Sequence, residues 1–145
     1  MSTNLVAATV RSGLYTRIIG KRIRFFQELT STMDKAREYA ESKIDEGTVV
    51  IAEFQTSSRG RLGRTWVSKP GNLYLSVVFY PNETILPFIG IIAALAVKKS
   101  IFKTTGTRPD IKWPNDILIH GRKVAGILVE SVMMADQIQS ALVGI

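Results

Sequence analysis

The sequence predicts an α+β domain: a mixed, mostly antiparallel sheet with helices on one face. Three observations carry this reading. Runs rich in β-branched and aromatic residues recur at strand length, at 22–29, 48–55 and 73–80. Two longer segments, 33–44 and 86–102, are apolar at helical spacing or over helical length. The last third then holds short strands divided by turn signals. The order β-α-β-β-α is thus followed by hairpins rather than by further βα units.

Taken in order, residues 1–20 read as a short helix and a lead-in, and 22–29 as a strand rich in Ile and Phe. Ser31-Thr32-Met33-Asp34 is a variant of the capping box, a hydroxyl acceptor with an acid three residues on. The helix after it places Met33, Ala36, Ala40 and Ile44 on one side, and Gly47 closes it. The strand 48–55 leads straight into an arginine-rich loop. Lys69-Pro70-Gly71-Asn72 marks the turn before strand 73–80. The apolar segment 86–102 reads as a buried core helix that ends near Gly106, and 85–97 is too short to span a bilayer. Strands 111–113 and 117–119 flank Pro114-Asn115-Asp116. His120-Gly121 is a hairpin turn leading into one strand over 123–131, and 138–145 is the last strand.

Composition narrows the chemistry. The 145 residues are 46% hydrophobic, enough for a packed core. There is no cysteine and one histidine, which excludes disulfides, thiolate metal sites and multi-histidine zinc sites. A reducing cytoplasmic compartment is compatible with this composition. The net charge of +7 favours an anionic partner without choosing among nucleotide, nucleic acid and acidic protein.

The loop Gln55-Thr56-Ser57-Ser58-Arg59-Gly60-Arg61-Leu62-Gly63-Arg64-Thr65-Trp66 chooses more sharply. Arg59, Arg61 and Arg64 crowd together with no acidic residue among them, and like charges so close favour a bound anion. A planar guanidinium fork suits carboxylate and phosphate oxygens. Gly60 and Gly63 let backbone N–H groups approach an anion and let the loop move. The expectation is an anion-binding loop for a phosphate or acyl-phosphate ligand.

Four segments in order then carry a resemblance: Ser31-Thr32, the run 55–66, Lys112-Trp113-Pro114-Asn115-Asp116, and the run Arg122-Lys123-Val124-Ala125-Gly126-Ile127-Leu128-Val129-Glu130. Together they resemble the biotin protein ligases, over residues 22–145. The resemblance implies a fold related to class II aminoacyl-tRNA synthetases, with 1–21 as lead-in. It implies two steps: activation of biotin by ATP to biotinyl-5′-AMP, then transfer of biotin to a lysine of a carboxylase carrier protein. By resemblance Arg59, Arg61 and Lys123 are catalytic. Ser31, Thr32, Met33, Gln55, Arg59, Gly60, Arg61, Lys123 and Gly126 bind biotin. Arg61, Arg64, Trp66, Lys112 and Asn115 face the nucleotide, and Asp116 is the candidate Mg²⁺ contact. Trp66 and Trp113 are both candidates to pack on adenine or close the pocket.

Two positions depart from the family pattern, Met33 where asparagine is usual and Ser58 where glycine is usual. Met33 lacks an amide's donors and acceptors. A non-catalytic or truncated biotin or nucleotide-binding protein is therefore an alternative. A ligase for another acyl substrate such as lipoate is a more distant one, since lipoate ligases have consecutive glycines in this loop. Basic residues near the start (Arg11, Arg17, Lys21, Arg22 and Arg24) raise nucleic-acid binding, but too few residues precede the catalytic region for a helix-turn-helix domain, and no specific nucleic acid is expected. The apolar end 141–145 suggests that more of the catalytic domain and a small β-barrel are missing, leaving a sheet edge that invites self-association. Homodimerisation, a cytoplasmic location, a biotin carboxyl carrier domain as partner and no membrane contact complete the expectations.

Overall fold

The computed structural model describes residues 3–135 and 137–145. Helix α1 (Thr3–Ser12) lies along strand β1 (Ile23–Leu29). Helix α2 (Thr32–Glu41) follows, then β2 (Val49–Gln55), a single 3₁₀ turn at Arg61–Gly63 in the arginine loop, and β3 (Tyr74–Phe79). A second 3₁₀ turn at Leu86–Phe88 opens α3 (Ile89–Thr105). The strands β4 (Asp110–Lys112), β5 (Asp116–Ile119), β6 (Arg122–Gly126), β7 (Leu128–Met134) and β8 (Gln137–Gly144) complete the fold. They form a five-stranded sheet in the order β1-β2-β3-β8-β7 and a three-stranded sheet β4-β5-β6. Only β1 and β2 run parallel, so the mixed, mostly antiparallel expectation holds.

The helices do not share one face. Along β8, Leu142 packs with Val50 and Val78 under Met33, Ala36 and Ala40 of α2. Its neighbours Ala141 and Val143 point the other way, into a second cluster with Ile89 and Ala94 of α3 and Ile117 of β5. Alternation along a strand requires these to be opposite faces. α2 therefore covers one side of the large sheet, and α3 with the small sheet covers the other. Interior strand β8 is covered on both sides, so Ser140, Ala141, Leu142 and Val143 are all buried.

Local chemistry explains most boundaries. Ser31 caps α2, its hydroxyl accepting from the Met33 N–H at 3.2 Å. The box is not completed: Asp34 turns to Arg59 instead of reaching back. α2 stops at its C-cap Ser42, before Gly47, although Ile44 still packs on the α2 cluster. Gly47 serves a different turn, with φ +75° and the Ile18 carbonyl oxygen 2.3 Å from where a Cβ would stand. At the hairpin between β5 and β6, His120 and Gly121 both have positive φ, 49° and 73°, as a two-residue type I′ turn needs.

Two expectations need correction. The strand 123–131 is two strands in two sheets. Ile127 leaves both ladders because Asn115 clasps it: its N–H donates to the Asn115 carbonyl at 2.8 Å, and its carbonyl accepts from Asn115 Nδ2 at 3.1 Å. α3 is not a buried core helix. Only Ile89 and Ala94 are buried along it, while Ile92, Leu95 and Phe102 are about half exposed. It is apolar nearly all round, and the sheets cover one side of it. Among the described residues no helix is long and apolar enough to cross a membrane.

Candidate functional site

A cavity of about 540 Å³ opens where the N-terminus of α2, the end of β2, the arginine loop and the small sheet meet. Fourteen of the residues singled out from the sequence line it: Ser31, Thr32, Met33, Gln55, Arg59, Gly60, Arg61, Arg64, Trp66, Lys112, Asn115, Asp116, Lys123 and Gly126. Trp113 does not; it is 72% exposed and lies off the cavity wall.

One part of the cavity lining is a buried neutral hydrogen-bonding network. The N–H and hydroxyl of Thr32 both donate to Gln55 Oε1, at 2.7 and 3.1 Å, and Ser76 Oγ donates to Thr32 Oγ1 at 2.9 Å. These bonds orient the Gln55 amide, and its Nε2 has no protein partner among the described residues. Buried polar groups with fixed partners and a spare donor suit a polar ring edge. Met33 sits between roles: it lines the cavity, and it is also part of the core beneath α2.

Much of the remaining lining is cationic. Five cations and one carboxylate, Asp116, line the cavity. The loop carrying three of them is a small closed structure. Arg59 and Thr65 form an isolated antiparallel bridge, Gly60 N–H donates to the Arg64 carbonyl at 2.7 Å, and Trp66 N–H to the Ser58 carbonyl at 3.0 Å. The Ser58 hydroxyl adds a bond to the Trp66 carbonyl at 2.9 Å, so the serine is used at the loop's neck. Arg61 reaches across to Asn115 Oδ1 at 3.1 Å. Among the described residues Arg61, Arg64 and Lys112 make no salt bridge.

Lys123 stands on β6 with its Nζ 2.7 Å from Asp116 Oδ1 and 4.7 Å from the centre of a Trp66 ring. Asp116 pairs directly with Gly126 across the small sheet. A Cβ on Gly126 would meet the Trp66 ring at 3.0 Å and Lys123 Cε at 3.1 Å, so this position leaves room for both.

The resemblance makes Asp116 the candidate Mg²⁺ contact and places Asn115 at the nucleotide. Asp116 faces Lys123, and Asn115 spends its amide on Arg61 and the Ile127 carbonyl. The described residues hold no group of three His, Asp or Glu side chains suited to a metal. With Asp116 as the carboxylate of the cavity lining among the described residues, a Mg²⁺ bound here would take its other ligands from substrate phosphates and water.

Arg59 departs most from expectation. Its guanidinium forks onto Glu130, Nε to Oε1 at 3.0 Å and Nη2 to Oε2 at 3.1 Å, while Nη1 meets Asp34 Oδ1 at 2.5 Å. Arg37 joins through Nη2 to Glu130 Oε2 at 2.8 Å. The hydrogen bonds from Arg59 hold the Glu130 carboxyl below the usual carboxylate range, and Arg37 adds to this. The same bonds, to Glu130 and then Asp34, raise Arg59 above its ordinary value. The sign follows: a depressed folded-state pKa contributes stability that is present above the ordinary carboxylate range and is lost as pH falls through the depressed value. Urea midpoints are expected to hold from about pH 7 to about pH 5 and to fall below about pH 4. A smaller acid fall in Glu130→Gln checks the assignment; an identical fall in both proteins would locate it elsewhere.

The model of the biotin/lipoate A/B protein ligase family matches residues 25–145. The chain belongs to that family. It is 39% identical over 144 residues to the bifunctional ligase/repressor BirA of Bacillus subtilis, covering 97% of this chain and 44% of BirA. It is 41% identical over 100 residues to the biotin–[acetyl-CoA-carboxylase] ligase of Paracoccus denitrificans, covering 66% of this chain and 42% of that ligase. Among solved structures it resembles the Leishmania major biotin protein ligase in complex with biotinyl-5-AMP, with TM-score 0.73, 31% identity, and coverage of 86% of this chain and 56% of that one. The Aquifex aeolicus ligase in complex with biotin and ATP superposes with TM-score 0.68 and 33% identity, over 86% of this chain and 50% of that one. The chain thus spans a little under half the length of these curated relatives.

Within this family member, sequence reasoning missed Tyr74, Glu130 and Asp34 as parts of the site. Tyr74 lines the cavity, and its hydroxyl donates to the Lys69 carbonyl at 3.0 Å and accepts from the Lys69 N–H at 2.6 Å, fixing the turn at 69–72. Its signal was the turn motif beside it. Glu130 closes the last of the four family-like segments, and opposite charge to the arginine loop was the clue.

Proposed function

We propose that this chain activates biotin with ATP to biotinyl-5′-AMP and passes biotin to a lysine of a biotin carboxyl carrier domain. The observation that supports the reading is the mixed lining of one cavity: a buried hydroxyl and amide network together with five cations against one carboxylate. Biotin has that shape, a neutral ureido ring with a carboxylate on an apolar arm. Gln55 Nε2 offers a donor to the ureido oxygen, with Ser31 and Thr32 beside it. Ile127 and Leu128 give the arm apolar wall, and Gly126 leaves it space.

Lys123 and Arg61 then lie where carboxylate and α-phosphate meet. Screening both anions lowers the barrier for a biotin carboxylate oxygen to attack the α-phosphorus as pyrophosphate leaves. Arg64, Lys112, Asn115 and Trp66 face the nucleotide. In the second step the carrier lysine's neutral amine attacks the acyl carbon, AMP leaves, and the amine proton passes to solvent. The loop 58–66 shields the anhydride from water meanwhile. Residues 22–145 form the catalytic region in this reading. Edge strands β1 and β7 are candidate homodimer surfaces, and a cytoplasmic location suits the reaction.

Biotin-dependent exchange of pyrophosphate with ATP tests the reading. Exchange that requires biotin and falls about tenfold in Arg61→Ala, the loss of one charge-assisted bond, is the expected result. Biotin binding without exchange would favour the non-catalytic alternative. Absence of both binding and exchange would overturn the proposal.

A further inference from the structure

The arginine loop is closed at its neck by backbone bonds, and its tip is open to solvent: Leu62 is 88% exposed. Loop position therefore depends on side-chain ties. Arg61 makes a single bond to Asn115. Arg59 makes three, two of them a bidentate fork on Glu130. Glu130 itself is held on both sides. It stands on edge strand β7 directly opposite Leu142 of β8, and Arg37 of α2 binds the same carboxylate. Its side chain is 22% exposed, and it does not line the cavity. One carboxylate thus joins sheet, helix and loop, and it has no route to a ligand except through Arg59.

We propose that Glu130 is a positioning residue that fixes Arg59, and through it the whole arginine loop, over the cavity. The division of labour among the arginines follows. Arg59 is neutralised by Glu130 and Asp34 and serves as the loop's anchor. Arg61 and Arg64, which have no carboxylate partner among the described residues, bring the charge that meets the anion. The anchoring stands on geometry alone; the ligand it organises rests on the biotin-activation reading.

Tryptic cleavage of the folded chain separates the two claims, because the loop carries its own cleavage sites after Arg61 and Arg64. Glu130→Gln is expected to speed cleavage at those two sites about tenfold, with cleavage after Arg17, in the exposed lead-in, unchanged as the internal reference. Glu130→Asp, which keeps the charge, is expected to restore part of the protection. Asp34→Asn removes the other tie without touching the sheet and is expected to give a smaller rise at the same sites, so the proposal stays testable if Glu130→Gln fails to fold. Unchanged loop cleavage in both Glu130→Gln and Asp34→Asn overturns it. So does an equal rise at all sites, which would mark a general loss of stability. A non-hydrolysable biotinyl-adenylate analogue is then expected to protect the wild-type loop and to bind Glu130→Gln about tenfold more weakly. Loop release in the variants with no protection by the analogue would keep the anchor and overturn the biotin-activation reading instead.

Discussion

Lys123→Ala is expected to weaken binding of a biotinyl-adenylate analogue by roughly three orders of magnitude, and Asp116→Asn in the same chain is expected to recover about thirtyfold of that. The argument starts from the pair. Lys123 Nζ lies 2.7 Å from Asp116 Oδ1, and both side chains line the cavity. In the free protein they screen one another. An entering carboxylate and phosphate then compete with Asp116 for the ammonium. Truncating Lys123 removes a charge-assisted bond, worth about 1.5–3 kcal/mol. It also unmasks a carboxylate that faces the ligand's own negative charge. At an effective dielectric near 20, two such charges about 8 Å apart repel by about 2 kcal/mol. The double variant keeps the first loss and removes the second. Calorimetry on wild type, both single variants and the double variant closes the cycle. A Kd for Lys123→Ala within threefold of wild type would remove Lys123 from the site. A double variant as weak as Lys123→Ala would show that Asp116 does not face the anion.

The parts of the fold legible in the sequence are those fixed by local chemistry. His120-Gly121 reads as a tight turn because few residue pairs accept two positive φ values, and both adopt them. Ser31 reads as a cap because a free helix N–H needs an acceptor. The break between β6 and β7 was not legible, since Val124 to Val129 is a continuous apolar run with one glycine. What divides it is a clasp from Asn115, twelve residues upstream of Ile127, which only the folded chain brings into reach. The faces covered by α2 and α3 were hidden for a similar reason. Sequence periodicity says that a strand has two faces, but where both are buried it does not say which helix takes which.

The site divides along the same line. The cations were legible as a crowd on a loop, because like charges at that spacing need an explanation. The counter-charges were not, since Glu130 lies 71 residues and Asp34 25 residues from Arg59 in sequence. Reading the loop alone assigns all three arginines to an external anion. The folded chain supplies carboxylates to one of them. Asp34 shows the same effect in miniature: adjacent chemistry favours a capping box, and a long-range arginine wins its carboxylate.

Leu142→Ala is the substitution expected to cost most stability, about 2–5 kcal/mol. Leu142 is fully buried at the middle of β8. It stands opposite Val78 on one side and Glu130 on the other, with Met33, Ala36 and Ala40 of α2 above it. Removing its isobutyl group leaves a void walled by two strands and a helix, none of which can close on it without breaking sheet ladders. Against a total of roughly 5–15 kcal/mol for a domain, that is a large share. The void also lies beneath the helix that presents Ser31 and Thr32 and beside the carboxylate that ties Arg59. The same variant should therefore release the loop to trypsin more than Val143→Ala does. Val143 packs on the opposite face, and its truncation is expected to cost about 2 kcal/mol. Urea denaturation of the two variants, with loop cleavage measured alongside, checks both statements. A loss below 1 kcal/mol for Leu142→Ala would mean that α2 settles into the gap. Equal loop release in the two variants would mean that the loop follows overall stability rather than the α2 face.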